Sequence, residues 1–172
     1  EEYGLSDSAK EMNLQAALIA RQAADEMTQE DGRIRFVAGA VGPTNRTLSS
    51  SEDVDDPSSR TITFDAIRDS YFEQVLALIE GGVDLILIET IFDVLNAKAA
   101  IVATLDAFTE SEVELPIILS VTYIQEGSER TVFGQTTDAF WTTIAHARPL
   151  SVGINCGLGA RAVLGNLKEL SR

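Results

Sequence analysis

The sequence predicts an α/β protein in which parallel strands alternate with helices, and three observations carry that prediction. Short apolar runs bounded by turn residues alternate with longer stretches of three-to-four-residue apolar periodicity, without any break in composition. The runs Asp84–Thr90, Pro116–Tyr123 and Leu150–Cys156 show little polar alternation, as expected of strands buried on both faces of a parallel sheet. Each strand also ends in polar chemistry: Gly42-Pro43-Thr44-Asn45, Glu89-Thr90, Ser120 with Thr122, and Asn155-Cys156. Such a sheet is either doubly wound or a (β/α)8 barrel. The recurrence of polar strand ends favours the barrel, whose active sites are built at that end of the strands. A whole barrel takes about 250 residues, so a chain of 172 holds an incomplete one.

Taken in order, residues 8–28 are rich in strong helix formers, and Ser8 with Glu11 has the spacing of a capping box. Arg35–Val41 reads as the first strand, closed by Gly42-Pro43. The Ser, Asp, Thr and Pro of Thr44–Arg60 read as a loop. Thr63 opens a helix whose apolar face is Phe64, Ile67, Tyr71, Val75 and Leu78, and Gly81-Gly82 stops it with a left-handed residue. Asp84–Thr90 is the second strand. Residues 94–109 form a helix with Leu95, Val102, Leu105 and Phe108 as its stripe. Pro116–Tyr123 is the third strand, Gln125–Gly134 a polar excursion, and Thr137–His146 a helix. Leu150–Cys156 is the fourth strand and Arg161–Leu170 the last helix. The whole reads as one domain.

Composition excludes several classes. The net charge of −14 argues against nucleic acid and against an anionic membrane surface, both of which need clustered Lys and Arg. No apolar run approaches the roughly 20 residues of a membrane span. The single cysteine rules out an internal disulfide and suits a reducing, cytoplasmic location. The chain begins Glu1-Glu2-Tyr3 and ends inside a helical pattern, so it reads as truncated at both ends.

Among the candidate site residues, Glu89 follows Leu85-Ile86-Leu87-Ile88 and is carried to the edge of a dry interior. There it suits a substrate ammonium or base chemistry, against the alternative of a structural ion pair or cap. Cys156, at a strand end, suits a nucleophile or a soft-metal ligand. Zinc takes three or four ligands, and the one histidine, His146, sits where it complements a helix C-terminus, so this chain alone does not close a Cys/His zinc site. Gly157-Leu158-Gly159-Ala160-Arg161-Ala162 imitates a dinucleotide fingerprint weakly. It leaves open a dinucleotide-dependent α/β oxidoreductase, beside a non-catalytic interaction module. Asn45-Arg46-Thr47 matches a glycosylation sequon by coincidence, and Asp53, Asp55 and Asp56 read as a solvated loop.

With these residues in view, the chain resembles the homocysteine-binding domain of the cobalamin-dependent methionine synthases over essentially all of residues 1–172. The likeness is carried by Val37–Thr47, by Asp53–Pro57 leading into Thr61–Asp65, by Asp84–Thr90 and Phe92–Ala100, and by Ser128–Thr137 and Gly153–Cys156. The long Thr44–Thr63 loop favours that group over betaine- and S-methylmethionine-dependent relatives. The resemblance implies a (β/α)8 TIM barrel of which this chain holds about strands three to six. It also implies a methyltransferase (5-methyltetrahydrofolate–homocysteine methyltransferase) that turns homocysteine into methionine. The resemblance implies too that Zn2+, held by three cysteines, lowers the pKa of the homocysteine thiol, and that the thiolate takes a methyl group from methylcobalamin. Cys156 matches the first of those cysteines; the Gly-Gly-Cys-Cys segment of the other two is not in this sequence. The cobalamin and folate domains are implied partners on the same polypeptide. Glu89 matches the family's strand-four glutamate, and Asn45, Thr122 and Asn155 become substrate-binding candidates by strand-end position.

Overall fold

The computed structural model describes residues 4–51 and 53–171; Glu1–Tyr3, Glu52 and Arg172 lie outside them. Four strands, β1 (Ala38–Val41), β2 (Leu85–Ile91), β3 (Ile117–Val121) and β4 (Ser151–Ile154), form one sheet in the order β1-β2-β3-β4. Every pairing is parallel. The helices are α1 (Ala9–Asp31), α2 (Phe64–Glu80), α3 (Val94–Ser111), α4 (Thr137–Ile144) and α5 (Leu164–Leu170). The expected parallel, in-order sheet is therefore present.

Period-two alternation sorts the strands into two faces. Gly39, Val41, Ile86, Ile88, Ile117, Leu119 and Val121 are buried, and a Cβ on Gly39 would touch Leu78 of α2, so this face is the one the helices cover. The other face carries Ala38 and Ala40, Leu85 and Leu87, Ile118, and Ser151 with Gly153, all exposed or half-buried. Paired residues in a parallel ladder share a face, so the register Ala40↔Leu87↔Ile118↔Ser151 runs straight across this open face.

Several boundaries differ from expectation for identifiable reasons. β1 starts at Ala38 instead of Arg35 because the Val37 N–H donates to the Asp84 carboxylate, 2.6 Å away, and not to a strand carbonyl. Arg21 of α1 binds the same carboxylate at 2.7 Å, tying that helix to the base of the sheet. Ser8 makes no capping bond; a turn of 3-10 helix over Ser6–Ser8 leads into α1. Thr63 does cap α2 through the Ala66 N–H, and Gly82, at φ +81°, supplies the left-handed residue after it. The buried face of α3 keeps only part of the expected stripe: Phe108 is buried and Val102 half-buried, Leu95 and Leu105 are exposed, and Ala97, Ala100, Ile101, Thr104 and Ala107 are buried instead. Small side chains let α3 lie close to its neighbours, and bulk alone misplaces that face. α4 ends at Ile144, and His146 falls in a following 3-10 turn, Ala145–Ala147. Residues 160–163 form turns, so the last helix starts at Leu164, not Arg161.

Polar groups are also placed in the core. The Tyr71 hydroxyl, on α2, lies 2.6 Å from Asn96 Oδ1 and 3.0 Å from the Gly42 carbonyl. Burial pushes its phenol from 10.0 up to about 12. The neutral phenol is the form the fold favours. Its contribution is therefore complete below about pH 10 and is lost as pH rises towards 12. We expect alkaline titration of stability to show a fall in that window of about 2–3 kcal/mol attributable to Tyr71. The difference between the unfolding curves of the parent and Tyr71→Phe measures it; parallel curves from pH 9 to 12 would refute it.

Candidate active site

Polar residues gather at the C-terminal edge of the sheet, and Asn155 connects them. Leaving β4, its backbone N–H still donates to the Val121 carbonyl at 3.0 Å. Its side chain reaches across two neighbouring strands. Asn155 Nδ2 donates to Glu89 Oε2 and to Thr90 Oγ1, each at 2.9 Å. Asn155 Oδ1 accepts from the Thr90 N–H at 3.1 Å and from the Ser120 hydroxyl at 2.9 Å. Ends of β2, β3 and β4 are thus joined through one amide. Glu89 is half-buried, and among the described residues no cation pairs with it.

Two of the four non-glycine residues with positive φ among the described residues lie at the same edge. Thr90 has φ +58° and Cys156 φ +59°. For a β-branched residue this is a marked departure, costing of order 1–3 kcal/mol. The β2–β3 register shifts between Ile88 and Ile91, around Thr90. Cys156 is a free, exposed thiol on a turn whose next residue, Gly157, also has positive φ, +54°. A Cβ on Gly157 would stand 2.2 Å from the Tyr123 carbonyl oxygen and 3.0 Å from Thr122 Oγ1. No side chain fits there, so the glycine lets the Cys156 turn lie directly on the end of β3. Gly159, by contrast, is open within 4 Å. The Gly157–Ala162 run does not open a helix as a dinucleotide fingerprint requires, because α5 begins at Leu164.

The structure brings Glu89, Asn155, Thr122 and Cys156 to one edge, but with different surroundings. Thr122 is 3% exposed and its Oγ1 has no hydrogen-bond partner; it sits beneath the Cys156–Gly157 turn. Asn45 is exposed, and among the described residues its side chain makes no hydrogen bond to the cluster. Among those residues no group of three or more His, Cys, Asp or Glu side chains could hold a metal ion, and Cys156 belongs to no such group.

Asp93 escaped the sequence reading. It is 2% exposed and caps α3, accepting from the Leu95 and Asn96 N–H groups. It also accepts from the Leu48 N–H at 2.7 Å, the Ser49 N–H at 3.1 Å and the Ser49 hydroxyl at 2.6 Å. Asn96 adds bonds to Thr44 Oγ1 and the Arg46 carbonyl. Together they pin the start of the long β1–α2 loop beside the site. An Asp before a helical run signals the cap, but no local signal announces partners more than 40 residues back.

The fold and these strand ends define an α/β protein with its polar chemistry at the C-terminal edge of a parallel sheet, where this class builds its active sites. The homocysteine S-methyltransferase family profile matches residues 1–172, and the chain belongs to that family. In structure it is similar to the homocysteine methyltransferase MmuM from Escherichia coli. The apo form matches with a TM-score of 0.73 at 20% identity, covering 95% of this chain and 55% of that one. The metallated form gives 0.72 at 20% identity, covering 94% and 54%. This chain therefore spans about half the length of those structures, and at that identity the likeness is one of fold. No helix of the described residues is long and apolar enough to cross a membrane.

Proposed function

We propose that residues 1–172 are part of a single (β/α)8 barrel domain, about strands three to six. That domain binds homocysteine at the strand ends and prepares it for methylation to methionine. The observation that carries this reading is the Glu89 carboxylate, which among the described residues has no cation paired with it and is held at 2.9 Å by Asn155, the residue next in sequence to the exposed thiol of Cys156. A fixed carboxylate and a soft ligand at one edge suit the two ends of an amino-acid thiol. Glu89 receives the ammonium through a charge-assisted hydrogen bond. Cys156 would hold a Zn2+ ion as one of its thiolate ligands, the described residues offering no further cluster of ligands to it. Bound zinc supplies acidification of the substrate thiol at neutral pH.

Thr122, with its unpartnered hydroxyl, supports the Cys156 turn from below, and with Asn45, on the loop after β1, it completes the proposed substrate-binding residues. We further propose that the methyl group arrives on methylcobalamin, with the cobalamin and folate domains on the same polypeptide, in the cytoplasm. A charged hydrogen bond is worth about 1.5–3 kcal/mol. Glu89→Gln in the full-length enzyme is therefore expected to raise KM for homocysteine roughly 10–100-fold while kcat changes much less. Steady-state kinetics decide this, and an unchanged KM removes Glu89 from ammonium binding.

A further inference from the structure

We propose that Asn155 is a positioning residue: it sets the Glu89 carboxylate for a substrate ammonium and does not itself meet the substrate. This rests on the reading of Glu89 given above. A side-chain amide has two donor hydrogens and two acceptor lone pairs, and all four are engaged within the protein. Nδ2 serves Glu89 Oε2 and Thr90 Oγ1; Oδ1 serves the Thr90 N–H and the Ser120 hydroxyl. The amide has one workable orientation. The Thr90 N–H can only donate and the carboxylate can only accept, so a flipped amide would oppose donor to donor and acceptor to acceptor. Asn155 has nothing left to offer a ligand.

Glu89 is in the opposite state. Among the described residues, Asn155 is its one hydrogen-bond donor, at Oε2, and acceptor capacity remains at Oε1. The fitting occupant is a cationic donor such as a primary ammonium. Asn155 also acts on the neighbouring residue. Its two bonds to Thr90 hold that β-branched residue at φ +58°, where the β2 ladder shifts register. The direction in which Glu89 leaves the strand is thus governed twice, directly at its carboxylate and through the backbone beside it.

The test compares binding of homocysteine with binding of 4-mercaptobutanoate, its counterpart without the amino group, by calorimetry on the full-length protein. A residue that only stabilises the fold affects both ligands alike. Asn155→Asp keeps the shape and the Oδ1 acceptor for Thr90 and Ser120, but sets an oxygen against Glu89 where a donor stood. Asn155→Ser removes the link without adding charge, and serves if the first variant misfolds. Each is expected to cut the preference for homocysteine about tenfold or more and to leave 4-mercaptobutanoate binding within about twofold. Tyr123→Phe, which loses a hydroxyl that bonds Thr137 at 2.8 Å and touches none of Asn155, Glu89 and Thr90, is expected to retain the preference. If the parent protein does not distinguish the two ligands, the reading of Glu89 fails and this inference falls with it. If the parent distinguishes them and Glu89→Gln abolishes the distinction, but the Asn155 variants keep it or weaken both ligands equally, the positioning role alone is overturned.

Discussion

Cys156→Ala, placed in the full-length polypeptide, is expected to abolish both zinc retention and homocysteine methylation. A catalytic zinc site commonly holds its ion with three protein ligands, so losing one thiolate opens the coordination shell and exposes the metal to exchange. Cys156→Ser is expected to do nearly as badly, because serine offers no alkoxide at neutral pH and thiolate is the ligand zinc favours. The turn that presents the thiol is fixed by Gly157 against the Tyr123 carbonyl, so the substitution alters the side chain without reshaping the backbone that carries it. Metal analysis after dialysis, with a methylation assay, is the deciding measurement. Should the Cys156→Ala protein retain one zinc per chain and work at the parental rate, the thiol is structural.

Asp93→Ala is expected to cost about 3–5 kcal/mol, the upper range for a single substitution. The carboxylate accepts from the N–H groups of Leu95, Asn96, Leu48 and Ser49 and from the Ser49 hydroxyl. Removing it orphans buried donors at a helix start and in a loop at once. Asp93→Asn should also be costly, since either amide orientation turns an NH2 group toward N–H donors. Two measurements report separately: urea unfolding gives the stability change, and limited proteolysis reports whether the Thr44–Arg60 segment is released. A loss under about 1 kcal/mol with the loop still protected would mean that the anchor is redundant.

The parallel order of the sheet was legible because apolar runs and polar strand ends are local signals. Glu89 and Cys156 stood out as candidates for the same reason, since each closes a hydrophobic run. Their connection was not legible. Asn155 reaches Glu89 across 66 positions of sequence, and nothing in the local pattern indicates that an asparagine will spend all its bonding capacity on two other strands. The left-handed backbone of Thr90 was equally hidden, because threonine is among the residues least suited to it. Side-chain size misdirected the reading of α3, where alanines make the contact. Helix starts were legible at Ser8, Thr63 and Thr136, each of which stands as the N-cap of its helix. The capping bond expected at Ser8 was not, because a 3-10 turn leads into that helix.

The short path from Glu89 to Asp93 has a consequence for how this chain can vary in length. At one end is a strand residue facing the open side of the sheet; at the other is the cap that holds the long loop. Only Thr90, Ile91 and Phe92 lie between. An insertion here would shift α3, the loop anchor and the strand-end carboxylate relative to one another in a single step. Extra residues in 53–59 or 125–129, largely exposed and outside any helix or strand, would instead be absorbed by surface backbone. Homologues that differ in size should therefore differ in those two loops, while the interval between carboxylate and cap keeps its count.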